Sequence, residues 1–195
     1  LKEFDKARVV EISKNFNISP LTAIILYNRG IREDGQIKDF LARDLSGMHD
    51  PFLMKDMDKA VERILLAKKN NEKITIYGDY DVDGITSIAI LYKYLKNMGL
   101  EVGFYVPDRM VEGYGVNRDA LDKIKADGTA VIITVDTGIT AIEEADYAKS
   151  IGIDFIITDH HECKESIPDV YAAIDPKRKD LSLIHISEPT RLLSI

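Results

Sequence analysis

Three aspartates stand at alternate positions in the stretch "IYGDYDVDGITS", residues 76–87: Asp79, Asp81 and Asp83. Carboxylates this close repel one another and raise each other's pKa. A folded chain keeps such a cluster when a positive charge lies among the carboxylates. The spacing therefore indicates a bound cation, with further ligands elsewhere in the chain.

Further acidic residues and two histidines follow other apolar runs of the sequence. Asp136 comes after "AVIITV", Asp159, His160 and His161 come after "DFIIT", and Asp175 comes after "YAAI". If these runs are parallel strands, their carboxyl ends meet at the edge where doubly wound proteins bind ligands. The sequence thus predicts that residues far apart in the chain converge on one crevice.

The ligand types indicate which metal would bind there. Carboxylate and imidazole donors without thiolate suit Mn²⁺, and Mg²⁺ would suit the oxygen-rich part. Four or more carboxylates and one or two histidines exceed the needs of one ion. Two ions about 3.5–4 Å apart that share a carboxylate would use them all, and such sites hydrolyse phosphoesters.

Each piece of this pattern has a simpler interpretation when it is taken alone. Asp83 or Asp136 could cap a following helix. "DYDVDG" matches the first six positions of an EF-hand calcium loop, but position twelve would be Ile90 instead of glutamate. "TDHHEC" could be a surface turn, or a zinc site that uses both histidines and Cys163 but lacks a second Cys/His pair. The joint pattern favours the metal centre.

The elements that would hold these residues alternate between strand and helix. "KITIY", "EVGFYV", "AVIITV", "DFIIT" and "YAAI" are typical of strands, and segments with helical periodicity separate the first four. This alternation predicts an α/β fold with a mostly parallel, Rossmann-like sheet. The near-continuous apolar strands indicate that helices cover both faces of the sheet.

Helical signals also precede the first strand and follow it. In residues 1–50, Ser19 is a predicted N-cap, Pro20 takes the first helical position, and Gly30 lies just past the end. After the first strand, "GITSIAILYKYLKNMG" predicts a helix that stops at Gly99. One face of that helix is expected to contain Ile85, Ile88, Ala89, Tyr92 and Leu95.

Composition excludes several protein classes. The 195 residues are 45% apolar, which is enough for a core and argues against global disorder. The net charge of -7 argues against non-specific coating of nucleic acid but allows a local basic groove. The single cysteine, Cys163, excludes an internal disulfide framework. No apolar run approaches the roughly 20 residues that span a bilayer, and "LKEFDKARVV" lacks a signal-peptide core. We therefore expect a soluble cytoplasmic protein without a membrane partner.

The motifs together resemble those of a known family. "YGDYDVDG", "VDTGIT" and "TDHH" are similar, in order and approximate spacing, to the first three motifs of the DHH phosphoesterase superfamily. "DPFLMKDMDKAVERI" and "VPDRMVEGYGV" resemble segments of its RecJ branch more than segments of the small DHH pyrophosphatases. That branch contains bacterial 5′→3′ exonucleases specific for single-stranded DNA, which act in repair and recombination.

The resemblance implies a ligand set. Asp81 and Asp83 match metal ligands of the first motif, and Asp79 matches a supporting or additional ligand. Asp136 matches the aspartate that bridges two metal ions in the superfamily, and His160 matches a further metal ligand. Two Mn²⁺ ions, or Mg²⁺, are the implied cofactors.

The resemblance also implies roles for residues around the metals. His161 matches the second histidine, which lies beside the metals and the scissile phosphate, so it and Asp136 are the predicted catalytic residues. Asp159 is expected to orient the histidines rather than bind metal. Arg109 could contact phosphate, since guanidinium pairs with phosphate oxygens, or it could form a surface salt bridge to Glu112.

The resemblance implies a domain organisation that is incomplete. We expect a helical segment over residues 1–50 and a truncated DHH domain over residues 51–180. The fourth motif, with its additional aspartate, and the later domains of RecJ-like proteins are missing. Residues 181–195, "LSLIHISEPTRLLSI", do not resemble the expected continuation and are predicted to be a foreign tail.

Three functions are compatible with these observations. The first is a monomeric two-metal exonuclease on single-stranded DNA, with repair proteins as partners. The second is a DHH phosphodiesterase that acts on short oligonucleotides or cyclic dinucleotides. The third is a nucleic-acid-binding module without catalysis, which the intact first three motifs disfavour but which truncation could produce.

Overall fold

The computed structural model describes residues 4–42, 50–108, 112–113 and 115–180. The described residues divide into two compact units, one up to Asp50 and one from Pro51 onward. The predicted foreign tail, residues 181–195, lies outside the described residues. Within the described residues, no helix combines the length and apolarity needed to cross a bilayer.

The described residues of the first unit form three helices. They are α1 (Lys6–Asn15), α2 (Pro20–Asn28) and α3 (Asp34–Leu41). Ser19 caps α2 as predicted: its hydroxyl accepts a hydrogen bond from the Thr22 N–H at 3.1 Å, and Pro20 takes the first helical position. The buried apolar side chains of this unit are Val9, Ile12, Ala23, Leu26, Ile31 and Ile37.

The second unit alternates helices and strands after a short 3-10 turn at Pro51–Leu53. Its helices are α4 (Met57–Asn70), α5 (Val82–Asn97), α6 (Arg118–Ala126) and α7 (Ile142–Ser150). Its strands are β1 (Lys73–Gly78), β2 (Val102–Tyr105), β3 (Thr129–Val135), β4 (Asp154–Thr158) and β5 (Ala172–Ile174). All five predicted strands are present, so the α/β prediction is confirmed.

The sheet is parallel throughout and has the strand order β2-β1-β3-β4-β5. Neighbouring side chains of one strand enter different cores, as Ile132 and Ile133 of β3 illustrate. Ile133 packs with residues of α4 and α5, and Ile132 packs with residues of α6 and α7. Helices therefore cover both faces, and the carboxyl ends of the strands form one open edge.

Helix α5 has a different buried face from the one that its apolar pattern predicts. Ile88 and Leu95 are buried as expected, but Ile85 is 45% exposed and Ala89 is also exposed. The cause is Gly84, which is buried so closely that a Cβ there would lie 2.3 Å from the carbonyl oxygen of Asp79. This contact sets the rotation of α5 and brings the start of the helix against the loop after β1.

A buried arginine fastens the segment after β5. Arg178 is 4% exposed and donates hydrogen bonds to the Ala173 carbonyl and, at 2.7 Å, to Asp56 Oδ2. It also donates to both carboxylate oxygens of Asp180, at 3.0 and 2.9 Å. Because Asp56 immediately precedes α4, this network ties the end of β5 to the beginning of that helix.

Candidate metal centre

The loop after β1 presents two of the three first-motif aspartates to the open edge. Asp81 is the N-cap of α5, and its Oδ1 accepts hydrogen bonds from the N–H groups of Asp83 and Gly84 at 2.9 and 3.0 Å. Asp79 is buried, and its Oδ1 accepts from the Tyr80 N–H at 2.7 Å. Asp83 lies in the first turn of α5 and is exposed.

Asp136 leaves the end of β3 in an unusual backbone conformation. Its φ of 59° lies in the left-handed region, which costs free energy for a residue with a side chain and is concentrated at functional sites. The Asp136 N–H donates to the Thr158 carbonyl at 3.0 Å, so the turn stays attached to β4. Gly138 completes the turn at φ 112°, where a Cβ would lie 2.6 Å from Thr134 Oγ1.

Asp159 organises the residues after β4. Its Oδ1 lies 2.7 Å from His161 Nδ1 and accepts hydrogen bonds from the N–H groups of His160 and His161 at 2.7 and 3.2 Å. Its Oδ2 accepts from the Ile139 N–H at 2.9 Å. The carboxylate therefore holds the His161 ring and joins the histidine loop to the turn after β3.

Among the residues that the structure describes, two groups of side chains could hold a metal ion, and Asp136 belongs to both. Ligand atoms of Asp79, Asp81 and Asp136 lie within 4.8 Å of one another, and so do ligand atoms of Asp136, His160 and His161. His160 Nε2 is 2.8 Å from Asp136 Oδ1. The structure thus gathers Asp79, Asp81, Asp136 and His160, with His161 beside them. Asp83 is in neither group, because it lies in the first turn of α5, beyond the loop that carries Asp79 and Asp81.

The electrostatics of the cluster favour a cation. Burial raises the pKa of Asp136, and the negative charge of Asp81 raises it further. The pKa of Asp81 is lowered, chiefly by the hydrogen bond from the Gly84 N–H. Ligand atoms of the two carboxyl groups lie within 4.8 Å of each other, so a cation between them would relieve their mutual repulsion. Oxygen ligands with imidazole nitrogen beside them fit Mn²⁺ or Mg²⁺.

His161 experiences two opposing effects. Burial lowers the pKa of its imidazole, but the hydrogen bond and negative charge of Asp159 outweigh burial, so that the pKa is raised overall. With Nδ1 engaged by Asp159, Nε2 is the ring nitrogen that can exchange a proton at the site.

Asp175 also lies at this edge, where its place after "YAAI" predicted it, although the sequence assigned it no role in the site. It follows β5, is 1% exposed, and accepts a hydrogen bond on Oδ1 from the Lys177 N–H at 2.7 Å. Its Oδ2 is one of the few buried side-chain atoms of the described residues that have no hydrogen-bond partner. Burial raises the pKa of Asp175 to about 6. Its place directly after a strand was the sequence signal.

Arg109, the predicted phosphate contact, lies outside the described residues and stays a prediction. Glu112, its alternative partner, accepts hydrogen bonds from Lys123 Nζ, the Tyr105 hydroxyl and the Asp108 N–H at 2.8, 2.6 and 2.9 Å. These three donors lower the pKa of Glu112 to about 2. The carboxylate thereby joins the loop after β2 to α6.

Comparison with known proteins identifies relatives of most of the chain. The family model for the DHH family, N-terminal domain, matches residues 73–190. The single-stranded-DNA-specific exonuclease RecJ of Bacillus subtilis is 45% identical over 174 residues, which are 89% of this chain and 22% of that protein. RecJ of Escherichia coli is 32% identical over 164 residues, which are 84% of this chain and 28% of that protein. The chain therefore spans about a quarter of the length of these relatives.

Solved structures agree with this relationship. A crystal structure of exonuclease RecJ bound to manganese superimposes with a TM-score of 0.61 and 31% identity, over 65% of this chain and 32% of that one. RecJ from Thermus thermophilus in complex with Mn²⁺ has a TM-score of 0.66 over 93% of this chain and 25% of that one. At 24% identity, the Thermus protein supports the fold alone. The resemblance inferred from the motifs is confirmed, and because the family model matches more than half of the residues, the chain belongs to the DHH family.

Proposed function

We propose that this chain carries the first part of the metal-binding domain of a nuclease that removes nucleotides from the 5′ end of single-stranded DNA. The observation that supports this most strongly is the position of Asp136, which is common to both candidate ligand groups. A carboxylate shared in this way suits two divalent ions. Relatives described as single-stranded-DNA-specific exonucleases supply the substrate class.

The proposed ligands divide into two sets around Asp136. Asp79 and Asp81 would hold one ion together with Asp136, and His160 would hold the second. Asp83 is proposed as a further ligand that would have to turn toward the cluster from its exposed position. Bound Mn²⁺ or Mg²⁺ would neutralise charge on the phosphate oxygens and lower the pKa of the attacking water.

The chain's own residues would supply orientation and proton transfer. Asp159 fixes the His161 ring through Nδ1, so Nε2 would be directed at the substrate and would exchange a proton with an oxygen of the scissile phosphate. The raised pKa of His161 keeps a larger fraction of imidazolium available near neutral pH. Asp136 is buried and close to His160, so it would stay in place while the DNA strand moves through the site after each cleavage.

A cleavage assay with four substrates tests this proposal. A 3′-labelled linear single strand, the same sequence closed into a circle, its duplex and a dinucleotide are incubated with the protein in Mn²⁺ or in EDTA. We expect the linear strand to shorten from its 5′ end in Mn²⁺ alone, with the circle and the duplex intact. Asp136→Ala should reduce the rate by on the order of 10³ or more, as for a central electrostatic group.

Other outcomes identify the alternatives. Rapid cleavage of the dinucleotide with an intact long strand would indicate a phosphodiesterase of short substrates. Metal-dependent binding without any cleavage would indicate a non-catalytic module. Cleavage of the circle, or activity in EDTA, would contradict the proposed exonuclease.

A further inference from the structure

The loops that follow β4 and β5 meet at an ion pair beside the candidate metal centre. Lys177 Nζ lies 3.1 Å from Glu162 Oε1. Glu162 directly follows His161, and Lys177 comes three residues after the end of β5. The ammonium group therefore lies at the same edge of the sheet as the aspartates and histidines.

The backbone at Lys177 is held from both sides by buried groups. On one side, the Lys177 N–H donates to Oδ1 of the buried Asp175. On the other side, Arg178 is anchored by Asp56 and by the Ala173 carbonyl. A side chain that leaves a fixed backbone loses less conformational freedom when it binds a ligand than one that leaves a mobile loop.

The charge of Lys177 reaches His161, a proposed catalytic residue, and the buried Asp175. It acts to lower the pKa of His161, against the effect of Asp159, and it also acts to lower the pKa of Asp175. A cation at this position partly offsets the repulsion that the acidic edge exerts on a phosphate backbone.

The partner of Lys177 in the free protein is weakly held. The Glu162 side chain is 85% exposed, whereas that of Lys177 is 30% exposed. Pairs with one solvated partner contribute little, typically below about 1 kcal/mol, because water competes for both charges. A phosphate diester of a nucleic acid strand can therefore replace Glu162 at little cost.

We propose that Lys177 binds a backbone phosphate of the single strand next to the metal centre, and that Glu162 is the exchangeable partner that this phosphate displaces. This assignment rests on the proposed function. If the assignment holds, removal of Lys177 should weaken DNA binding, and removal of the Glu162 charge should strengthen it. Loss of Lys177 removes a phosphate contact, and loss of the Glu162 charge removes a competitor and a repulsive carboxylate.

The test measures binding without cleavage. Fluorescein-labelled dT12 is titrated with the protein in Ca²⁺, and fluorescence anisotropy gives Kd at several salt concentrations. Lys177→Gln should weaken binding about fivefold and reduce the slope of log K against log salt by about 0.7, the value for one phosphate contact on a single strand. Glu162→Gln should tighten binding about twofold, and Lys177→Arg should retain the affinity of the unmodified protein.

The chain offers a matched control pair near the amino ends of β4 and β5, away from the candidate metal centre. Lys149 Nζ lies 2.6 Å from Asp169 Oδ2, and both side chains are exposed. Lys149→Gln and Asp169→Asn change the net charge as the test variants do but should leave Kd almost unchanged. The proposal is overturned if Lys177→Gln behaves like Lys149→Gln, or if Glu162→Gln weakens binding.

The outcomes separate this inference from the proposed nuclease. Exonuclease activity with a KM that is unaffected by Lys177→Gln would overturn the role of Lys177 alone. Binding of dT12 that depends on Lys177, without any cleavage, would overturn the nuclease and retain the phosphate contact. Failure of the unmodified protein to bind dT12 would overturn the inference, whatever the cleavage assay shows.

Discussion

His160 Nε2 lies 2.8 Å from Asp136 Oδ1, and this contact joins the ends of β3 and β4 at the open edge of the sheet. The two residues come from separate βα units, so neither can be placed without the register between the strands. The parallel pairing of Val135 with Thr158 provides that register. The proposed metal centre is therefore a product of sheet topology rather than of one local motif.

Asp159→Asn tests how the histidines are oriented. An amide cannot provide the negative charge that favours imidazolium, so we expect the pKa of His161 to fall and the cleavage rate to drop about 10–100-fold. The checks are ¹H–¹⁵N NMR titration of the His161 ring and the pH profile of the rate.

Mn²⁺ binding, together with the size of the loss in cleavage rate, distinguishes a residue that orients the histidines from a metal ligand. Asp159→Asn should retain Mn²⁺ binding, whereas Asp136→Ala should lose it. Near-normal turnover in Asp136→Ala together with complete inactivity in Asp159→Asn would show that the two roles are reversed.

Gly84→Ala tests the close approach between α5 and the loop after β1. The added Cβ would lie 2.3 Å from the Asp79 carbonyl oxygen, and neither backbone can yield without moving the first-motif aspartates. We expect a loss of about 1–3 kcal/mol in the free energy of unfolding and weaker Mn²⁺ binding. Urea denaturation and a Mn²⁺ titration measure the two effects.

Gly35→Ala is the matched control for that substitution. Gly35 lies in α3, where an added Cβ meets nothing within 4 Å. Replacement of an unobstructed helical glycine should stabilise its helix by about 0.5–1 kcal/mol. Equal effects of the two alanines would show that the contact at Gly84 is not restrictive.

Asp175 should make stability depend on pH in an unusual direction for an acid. Its pKa is raised from 3.8 to about 6 by burial, so the folded state binds more protons than the unfolded state between these values. The free energy of unfolding should therefore fall as the pH rises from below about 4 to above about 6, by about 3 kcal/mol in total from this group alone.

Asp175→Asn removes the buried charge and should remove this pH dependence. In EDTA, its free energy of unfolding relative to the unmodified protein should increase between pH 4 and pH 7. Asp169→Asn, at an exposed position, should not reproduce that increase. A difference between Asp175→Asn and the unmodified protein that stays constant with pH would contradict the buried charge.

The fold could be predicted from sequence because its signals are local and repeated. Strands β1, β3 and β4 are short runs rich in β-branched residues, such as "AVIITV", and acidic residues or histidines follow where each of these three runs ends. Parallel topology then brings Asp81, Asp136 and His160 together, since all three follow carboxyl ends of strands. These placements required no knowledge of side-chain packing.

The remaining features depend on tertiary contacts that a sequence pattern does not contain. The rotation of α5, and with it the exposure of Asp83 and Ile85, follows from one close contact at Gly84. Asp175 is buried because the hydrogen bonds of Arg178 hold the segment after β5 against the rest of the sheet. The apolar periodicity of α5 was compatible with more than one rotation, and only the packing against β1 selects among them.

Asp136 is proposed to serve two divalent ions at the carboxyl edge of the sheet. Isothermal titration with Mn²⁺ tests this role most directly, with Asp136→Asn as the variant and Asp169→Asn as the control. We predict two ions per chain in the unmodified protein and in Asp169→Asn, and loss of both ions in Asp136→Asn. Absence of saturable Mn²⁺ binding in the unmodified protein, or one ion retained at full affinity in Asp136→Asn, would contradict the account.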